Sequence, residues 1–390
     1  MRAGWARAAA RCGAVGLAVV LGACGGTGAP GPRTTGTAAL PPAPPLASTA
    51  VTADAALVVV PMGDLGQALN TFWELFVRPT GAATWTLVTP PGVADNGGLV
   101  VSPAVTGGSL LAGFEPSQDL EYSPLARSTD QGATWSPGLV PGGLAPTPDA
   151  VATTGSVSVA LLRRGGGAVV HAGEDGTWST LVDRAALGRT AAGRRCGVAA
   201  LGAVALGPDG TVFVGAACRH HVTGVFAGVG GTWQLVAPPP GGDGATRVVR
   251  LVDAGASIEA LVDAPERASP RLVAVAVGGA GRVAVSPPLA LPPHSRLVAT
   301  GTGAGGGFVV LSAAPGRGDA VEVEEGGAGS WERLPAPPPG TAAVAQGPGG
   351  TVDALVVAST RYSDWRLDPR TGTWSRMGTV TVPIAFGSSS

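Results

Sequence analysis

Few stretches of this chain carry side chains suited to chemistry, and all of them are short. Arg219-His220-His221 sets two of only four histidines side by side, and imidazoles can ligate a metal, move a proton or bond a ligand. A metal site needs three or more ligands, and no carboxylate or further histidine stands close by in sequence. His294, in a later connection, is the residue that folding could add. The pair is read as a polar loop beside a disulfide with a secondary role in ligand contact; no metal and no other cofactor is expected. The remaining polar candidates fall in similar loops: "EPSQDLEYS" (115–123) with Tyr122, Arg163-Arg164, "PERASP" (265–270) with Glu266, "PGRGD" (315–319) with Arg317, and "STRYS" (359–363) with Arg361 and Tyr362. Arginine recurs in these loops, which suits an acidic or carboxylated ligand. The chain contains no lysine, however, so every basic residue is arginine and no single one is evidence of a choice.

These loops must be held by something, and the sequence repeats. Ser128-Thr129-Asp130-Gln131-Gly132-Ala133-Thr134-Trp135 returns in weaker form at Gly81–Trp85, Glu174–Trp178, Gly230–Trp233, Gly329–Trp331 and Thr371–Trp374. Six of nine tryptophans, Trp85, Trp135, Trp178, Trp233, Trp331 and Trp374, hold this one position. Their spacings are 50, 43, 55, 98 and 43 residues, and the double gap implies a copy that has lost its tryptophan near Gly281-Arg282-Val283. Between turns run short β-branched or alternating segments cut by Gly and Pro. The clearest unit reads Val198–Leu206, the turn "GPDG", Thr211–Ala217, "CRHH", Val222–Ala227, the Gly-Gly-Thr-Trp turn, then Trp233–Val236. Four strands per unit at a period of 40 to 50 residues is the pattern of a β-propeller. The reading is an all-β, seven-bladed β-propeller of four-stranded antiparallel blades, with six or eight blades as alternatives. The blades are expected at 49–97, 98–145, 146–195, 196–244, 245–295, 296–340 and 341–386. Two segments compete to form the innermost strand of the first blade: the C-terminal "VTVPIAF" (380–386), which is preferred, and Ser48–Ala53.

Gly and Pro together make about a quarter of the chain, which alone would suggest low complexity. The 45% hydrophobic content and the repeat argue instead for a large core. With Cys12 and Cys24 near the N-terminus, Cys196 and Cys218 remain, and the hairpin at "GPDG" would bring them together as a disulfide that secures the following loop.

The turn resembles the Asp-box, or bacterial neuraminidase repeat, Ser/Thr-x-Asp-x-Gly-x-Thr-Trp. Ser128, Asp130, Gly132, Thr134 and Trp135 match it in full, and the other copies keep mainly Gly, Thr and Trp. The resemblance implies a hairpin between the third and outermost strands, on the rim opposite the usual binding face. Function is therefore expected on the other rim, and Asp130 is expected to hold a turn. The resemblance also raises a sialidase-like exo-glycosidase, whose family uses an arginine triad, a Tyr nucleophile assisted by Glu, and an Asp acid/base. Tyr362 with Glu266, flanked by Arg219 and Arg317, is the weak candidate set. The family's early Phe/Tyr-Arg-Ile-Pro signature is missing, and the first blade offers only Arg78, near the turn rim.

The N-terminus reads as an export address. Arg2, Arg7 and Arg11 precede an apolar run, Ala14–Leu21, too short to span a bilayer. Leu21-Gly22-Ala23-Cys24 resembles the lipobox of bacterial lipoproteins, which implies cleavage after residue 23 and acylation of Cys24. Residues 1–23 are then a signal peptide, 24–48 a Pro/Gly/Thr tether, 49–386 the propeller and 387–390 a tail. Removing the signal leaves 22 basic against 26 acidic residues, a formal charge of −4 that gives no footprint for nucleic acid. The expected function is a non-catalytic, lipid-anchored, extracytoplasmic module at the cell envelope that binds a protein or glycan. The glycosidase and an envelope assembly or maturation factor are the alternatives.

Overall fold

Short apolar runs punctuated by glycine turns form antiparallel strands, each paired with the next in sequence. The computed structural model describes residues 48–63, 71–93, 98–104, 107–114, 125–137, 148–162, 167–172, 177–207, 209–220, 222–229, 231–236, 246–264, 271–278, 282–292, 294–303, 306–314, 321–327, 329–358 and 361–380. The chain divides into Met1–Gly36 and Thr37–Ser390, and all described residues belong to the second unit. Among them, no helix is long and apolar enough to cross a membrane.

The first sheet contains β1 (Ser48–Val51), β2 (Ala55–Gly63), β3 (Thr71–Pro79) and β4 (Thr86–Leu87). The second holds β5 (Leu99–Pro103), β6 (Leu110–Phe114), β7 (Leu125–Ser128) and β8 (Ser136–Pro137). The third holds β9 (Pro148–Thr153), β10 (Ser158–Leu162), β11 (Ala168–Ala172) and β12 (Trp178–Asp183), followed by helices α1 (Arg184–Arg189) and α2 (Ala191–Cys196). Next comes the run β13 (Val198–Leu206), β14 (Val212–Cys218), β15 (Gly224–Val229) and β16 (Thr232–Leu235). It is followed by β17 (Thr246–Asp253), β18 (Ser257–Asp263), β19 (Arg271–Gly278), β20 (Val283–Val285) and β21 (Leu289–Ala290). A short ladder, Ala217 to Arg247 and Cys218 to Thr246, merges these two runs into one nine-stranded sheet. Two further four-stranded sheets follow. One holds β22 (Arg296–Thr302), β23 (Phe308–Ala313), β24 (Val321–Gly326) and β25 (Trp331–Arg333). The other holds β26 (Thr341–Gln346), β27 (Val352–Ala358), β28 (Arg361–Asp368) and β29 (Thr373–Val380).

Burial follows strand order within each sheet. Second strands such as β6, β10 and β23 are buried along their whole length, because neighbouring sheets cover both faces and a continuous apolar run can be buried only there. Several fourth strands are short and exposed, as β4 and β20 show, which keeps those outer edges poor templates for pairing. The inner strand of the first sheet is β1, which pairs with β2 from Ser48 opposite Val59 to Val51 opposite Ala56. This corrects the preference for a C-terminal closing strand; residues 381–386 lie outside the described residues.

Each tryptophan of the repeated turn packs onto the preceding sheet. Trp135 joins the core between the first and second sheets and donates Nε1–H to the Val88 carbonyl at 2.8 Å. Trp178 packs between the second and third sheets, and Trp233 between the third and the β13–β16 run. Trp331 reaches back to Ser286 at 3.2 Å, and Trp374 to the Pro335 carbonyl at 3.1 Å. Trp85, in the first sheet, packs with Val380, Leu355 and Ala345 of the last one. At the turn that has lost its tryptophan, Val283 stands exposed in its place.

Polar contacts reinforce the seam between first and last sheets. Arg78 lies over the Trp85 ring at 5.0 Å and pairs with Asp364 at 2.7 Å. Asp353, on the adjacent strand, receives a two-pronged contact from Arg366 at 2.6 and 2.8 Å. Burial first, and then repulsion from Asp353, push the Asp364 carboxyl up to about 6 in spite of Arg78 and Arg366. A pKa raised on folding means that the folded state holds the proton more tightly. This contribution to stability therefore grows as pH falls from about 6 toward the unfolded value near about 4, and is level above 6. Compared with Asp364→Asn, the wild type is expected to gain on the order of 2 kcal/mol between about pH 7 and pH 4. Urea midpoints of the two proteins across that range read the difference, and parallel curves would contradict it.

Candidate functional site

The turn Ser128–Trp135 joins β7 to β8, the third and fourth strands of its sheet. Ser128 Oγ accepts from Gly132 N at 2.8 Å, and Asp130 accepts from Thr134 N at 2.9 Å and Thr134 Oγ1 at 2.6 Å. Those bonds, the Thr134 hydroxyl first, hold the exposed Asp130 carboxylate at about 2, ionised at any ordinary pH. Gly132 has φ +86°, and a Cβ there would meet Val88 at 2.8 Å, so glycine is required by both backbone and packing. The Ser128, Asp130 and Thr134 side chains bond within the turn, while Gln131 N and Trp135 Nε1 reach the carbonyls of Gly108 and Val88.

At the opposite ends of the strands, the connection from β12 to β13 contains the two short helices. Asp183 caps α1 through Ala186 N at 2.6 Å, and Thr190 caps α2 through Gly193 N at 2.9 Å. Gly197 ends α2 in the left-handed region, φ +64°, and a Cβ on it would collide with the His220 ring. Leu187 and Cys196 anchor the helices in the core shared with Val198 and Phe226. Cys196 and Cys218 form the expected disulfide, Cα to Cα 4.9 Å. Beside it, Arg219 N bonds the Gly197 carbonyl at 3.2 Å, and His220 N bonds the Cys196 carbonyl at 3.1 Å. The helix end and the following loop are thus knitted into one platform.

That platform is basic. Arg189, Arg194, Arg195, Arg219 and His220 are all exposed. Arg194 Nη1 donates to the Arg189 carbonyl, and none of the four arginines is in an ion pair with a described residue. Arginines in the last turns suit the negative ends of the helices, but the helix dipole does not neutralise four guanidinium groups. The surface therefore carries a local excess of positive charge among the described residues.

The other sequence candidates distribute as follows. Tyr122, Arg163, His221, Glu266, Arg317 and Cys24 lie outside the described residues. Arg361 is exposed at the start of β28. Tyr362 does not face a ligand surface: it is 5% exposed, and its hydroxyl donates to the Pro61 carbonyl in the seam core. Burial also raises its pKa, making it a poorer nucleophile at neutral pH. Its expected role in ligand contact or catalysis is corrected to a structural one. Arg78, likewise, is taken up by Asp364 and Trp85. His294 is exposed and isolated in its turn, and among the described residues no cluster of three metal-ligating side chains forms. Sequence reasoning missed the helix pair and with it Arg189, Arg194 and Arg195. The signals were present: Asp183 and Thr190 as caps, and Gly197 just past the last turn.

No protein-family model and no curated protein matches the chain. Similar solved structures include a Mycobacterium tuberculosis puromycin-hydrolyzing peptidase, at 13% identity and TM-score 0.54, covering 86% of this chain and 54% of that one. A structure from an analysis of two prolyl endopeptidases aligns at 12% identity and TM-score 0.51, covering 87% and 50%. A Lactobacillus plantarum protein aligns at 13% identity and TM-score 0.50, covering 84% and 96%. The chain spans about half the length of the peptidases it matches. At these identities the likeness shows the fold alone, all-β and propeller-like.

Proposed function

We propose that the chain is a non-catalytic binding module, a closed seven-bladed propeller that presents a basic platform to a carboxylate-bearing protein or glycan at the cell envelope. The observation that carries this reading is the platform: Arg189, Arg194 and Arg195 exposed on two capped helices, beside exposed Arg219 and His220 on the loop pinned to them by the Cys196–Cys218 disulfide. Several acyl chains on Cys24 would anchor it, with residues 24–48 as tether. Seven units of four strands, counting the nine-stranded sheet as two with β21 as an extra short strand, and the packing of Trp85 on the last sheet support the closed ring. In this account the turns are of the Asp-box type and serve as blade corners. The glycosidase alternative is weakened because its nucleophile, Tyr362, is committed to Pro61.

An array of acidic and neutral glycans and peptides, probed with the mature chain, tests the reading. Acidic members are expected to bind, and Arg194→Ala/Arg195→Ala/Arg219→Ala is expected to weaken them by about tenfold or more, since 1.4 kcal/mol corresponds to a factor of ten. Binding unchanged by the triple substitution, or confined to neutral members, would overturn it. For the anchor, the mass of the mature N-terminus should carry the acyl chains, and an unmodified Cys24 would refute that part.

A further inference from the structure

The first strands of successive sheets pack against one another: β1 on β5, β5 on β9, β9 on β13, β13 on β17, β22 on β26, and β26 on β1. They form the inner edge of the assembly. In five of them the ladder to the second strand carries a bulge at the same place, between Pro148 and Ala150, Leu201 and Ala203, Val248 and Arg250, Leu297 and Ala299, and Thr341 and Ala343. The first residue after the bulge is alanine in four strands and arginine in one. Ala203 and Ala343 are buried against neighbouring sheets, so a methyl group is what the packing takes at this position. Arg250 is an exception that the fold does not require.

Arg250 spans to the next inner strand, donating Nε–H to Thr300 Oγ1 at 2.9 Å and Nη2–H to the Thr300 carbonyl at 3.2 Å. Two contacts to a neutral residue fix the guanidinium plane without neutralising it. No described carboxylate pairs with it, whereas Arg247, three residues earlier on the same strand, is paired with Asp263 at 3.2 Å. A guanidinium has five N–H donors, and the Nη1 protons remain for another acceptor. The side chain is open to water along the inner edge but crowded by the surrounding walls, and that desolvation lowers its pKa from the ordinary arginine value. The charge is held with its direction set by Thr300 and with no described carboxylate beside it.

The geometry points to Arg250, oriented by Thr300, as the binding group for a carboxylate or phosphate of a small ligand entering the interior of the ring. A planar fork with two free donors matches either oxyanion. This site goes beyond the basic platform, which lies on a rim and serves a macromolecule, and either can fail without the other.

The test uses the full mature chain and three probes at matched ionic strength: inorganic phosphate, acetate, and chloride as reference. With phosphate or acetate tenfold above its dissociation constant, the wild-type melting temperature should rise by about 2 °C over chloride. Which of the two acts identifies the oxyanion class. Arg250→Met keeps the stem volume and removes the charge; it should abolish the rise while melting no lower than wild type in chloride. Thr300→Val, which releases the guanidinium, should weaken the anion several-fold in calorimetric titration. The inference is overturned if neither anion raises the wild type, if Arg250→Met keeps the full rise, or if that variant melts several degrees lower in chloride, the mark of a structural strut.

Discussion

Replacing Asp353 by leucine is expected to lower the unfolding free energy by about 3 kcal/mol, because it leaves the partly buried Arg366 guanidinium without its carboxylate. The Asp353 side chain is 1% exposed and Arg366 is 32% exposed, so some water reaches the stranded cation and the loss falls at the lower end of the range for broken buried pairs. The charge arithmetic of the seam changes as well. Asp353 is the main charged group raising the Asp364 pKa, so its removal lets Asp364 ionise more readily beside Arg78. The variant should therefore lose part of the acid-side gain described for the wild type, the part due to burial remaining. Pairing Asp353→Leu with Arg366→Met should recover most of the stability, since the penalty comes from one stranded charge and not from lost packing. Urea unfolding of the single and double variants measures both effects. A single variant within about 0.5 kcal/mol of wild type, the scale of ordinary surface substitutions, would show that the Asp353–Arg366 pair inside the last sheet contributes nothing to stability.

The second large effect belongs to the disulfide. Cys196→Ala/Cys218→Ala opens a loop of 22 residues, which the chain-entropy model values at about 3 kcal/mol. The same change removes the clamp between α2 and the Arg219-His220 loop. Two backbone bonds remain there, Arg219 to Gly197 and His220 to Cys196, so the platform should loosen without unfolding. Global stability is expected to fall by about 3 kcal/mol, and amides of residues 191–197 and 219–220 should exchange faster than those of β13. Affinity for the acidic ligand should drop although no arginine has been touched. Reduced stability with unchanged exchange in the platform would separate the disulfide from the site.

Much of the architecture could be read from one kind of residue. A tryptophan after a glycine turn marks where the third strand gives way to the fourth, and its constant phase located even the copy in which Val283 has replaced it. The strand Val198–Leu206 and the disulfide followed from the same unit, because a hairpin at "GPDG" leaves 198 opposite 218, as observed. The helix pair is not legible from the strand period, which assigns residues 184–195 to the end of the 146–195 blade, although local capping competes well with strand formation in such an alanine-rich stretch. Tyr362 was placed in a loop, but β28 begins at Arg361; in a strand, one residue of displacement turns a side chain from solvent into the core. Arg250 gave no signal in sequence, since its meaning depends on a bulge register that places it where Ala203, Ala299 and Ala343 stand.

If recognition takes place on the rim of the helix platform and not at the tryptophan turns, a bound ligand should shield that rim. Amide hydrogen exchange of the mature chain, with and without the strongest acidic binder from the array, tests it most directly. The account predicts new protection across residues 184–197 and 218–220, with residues 128–135 unchanged. Protection at 128–135 with none at the platform would contradict it.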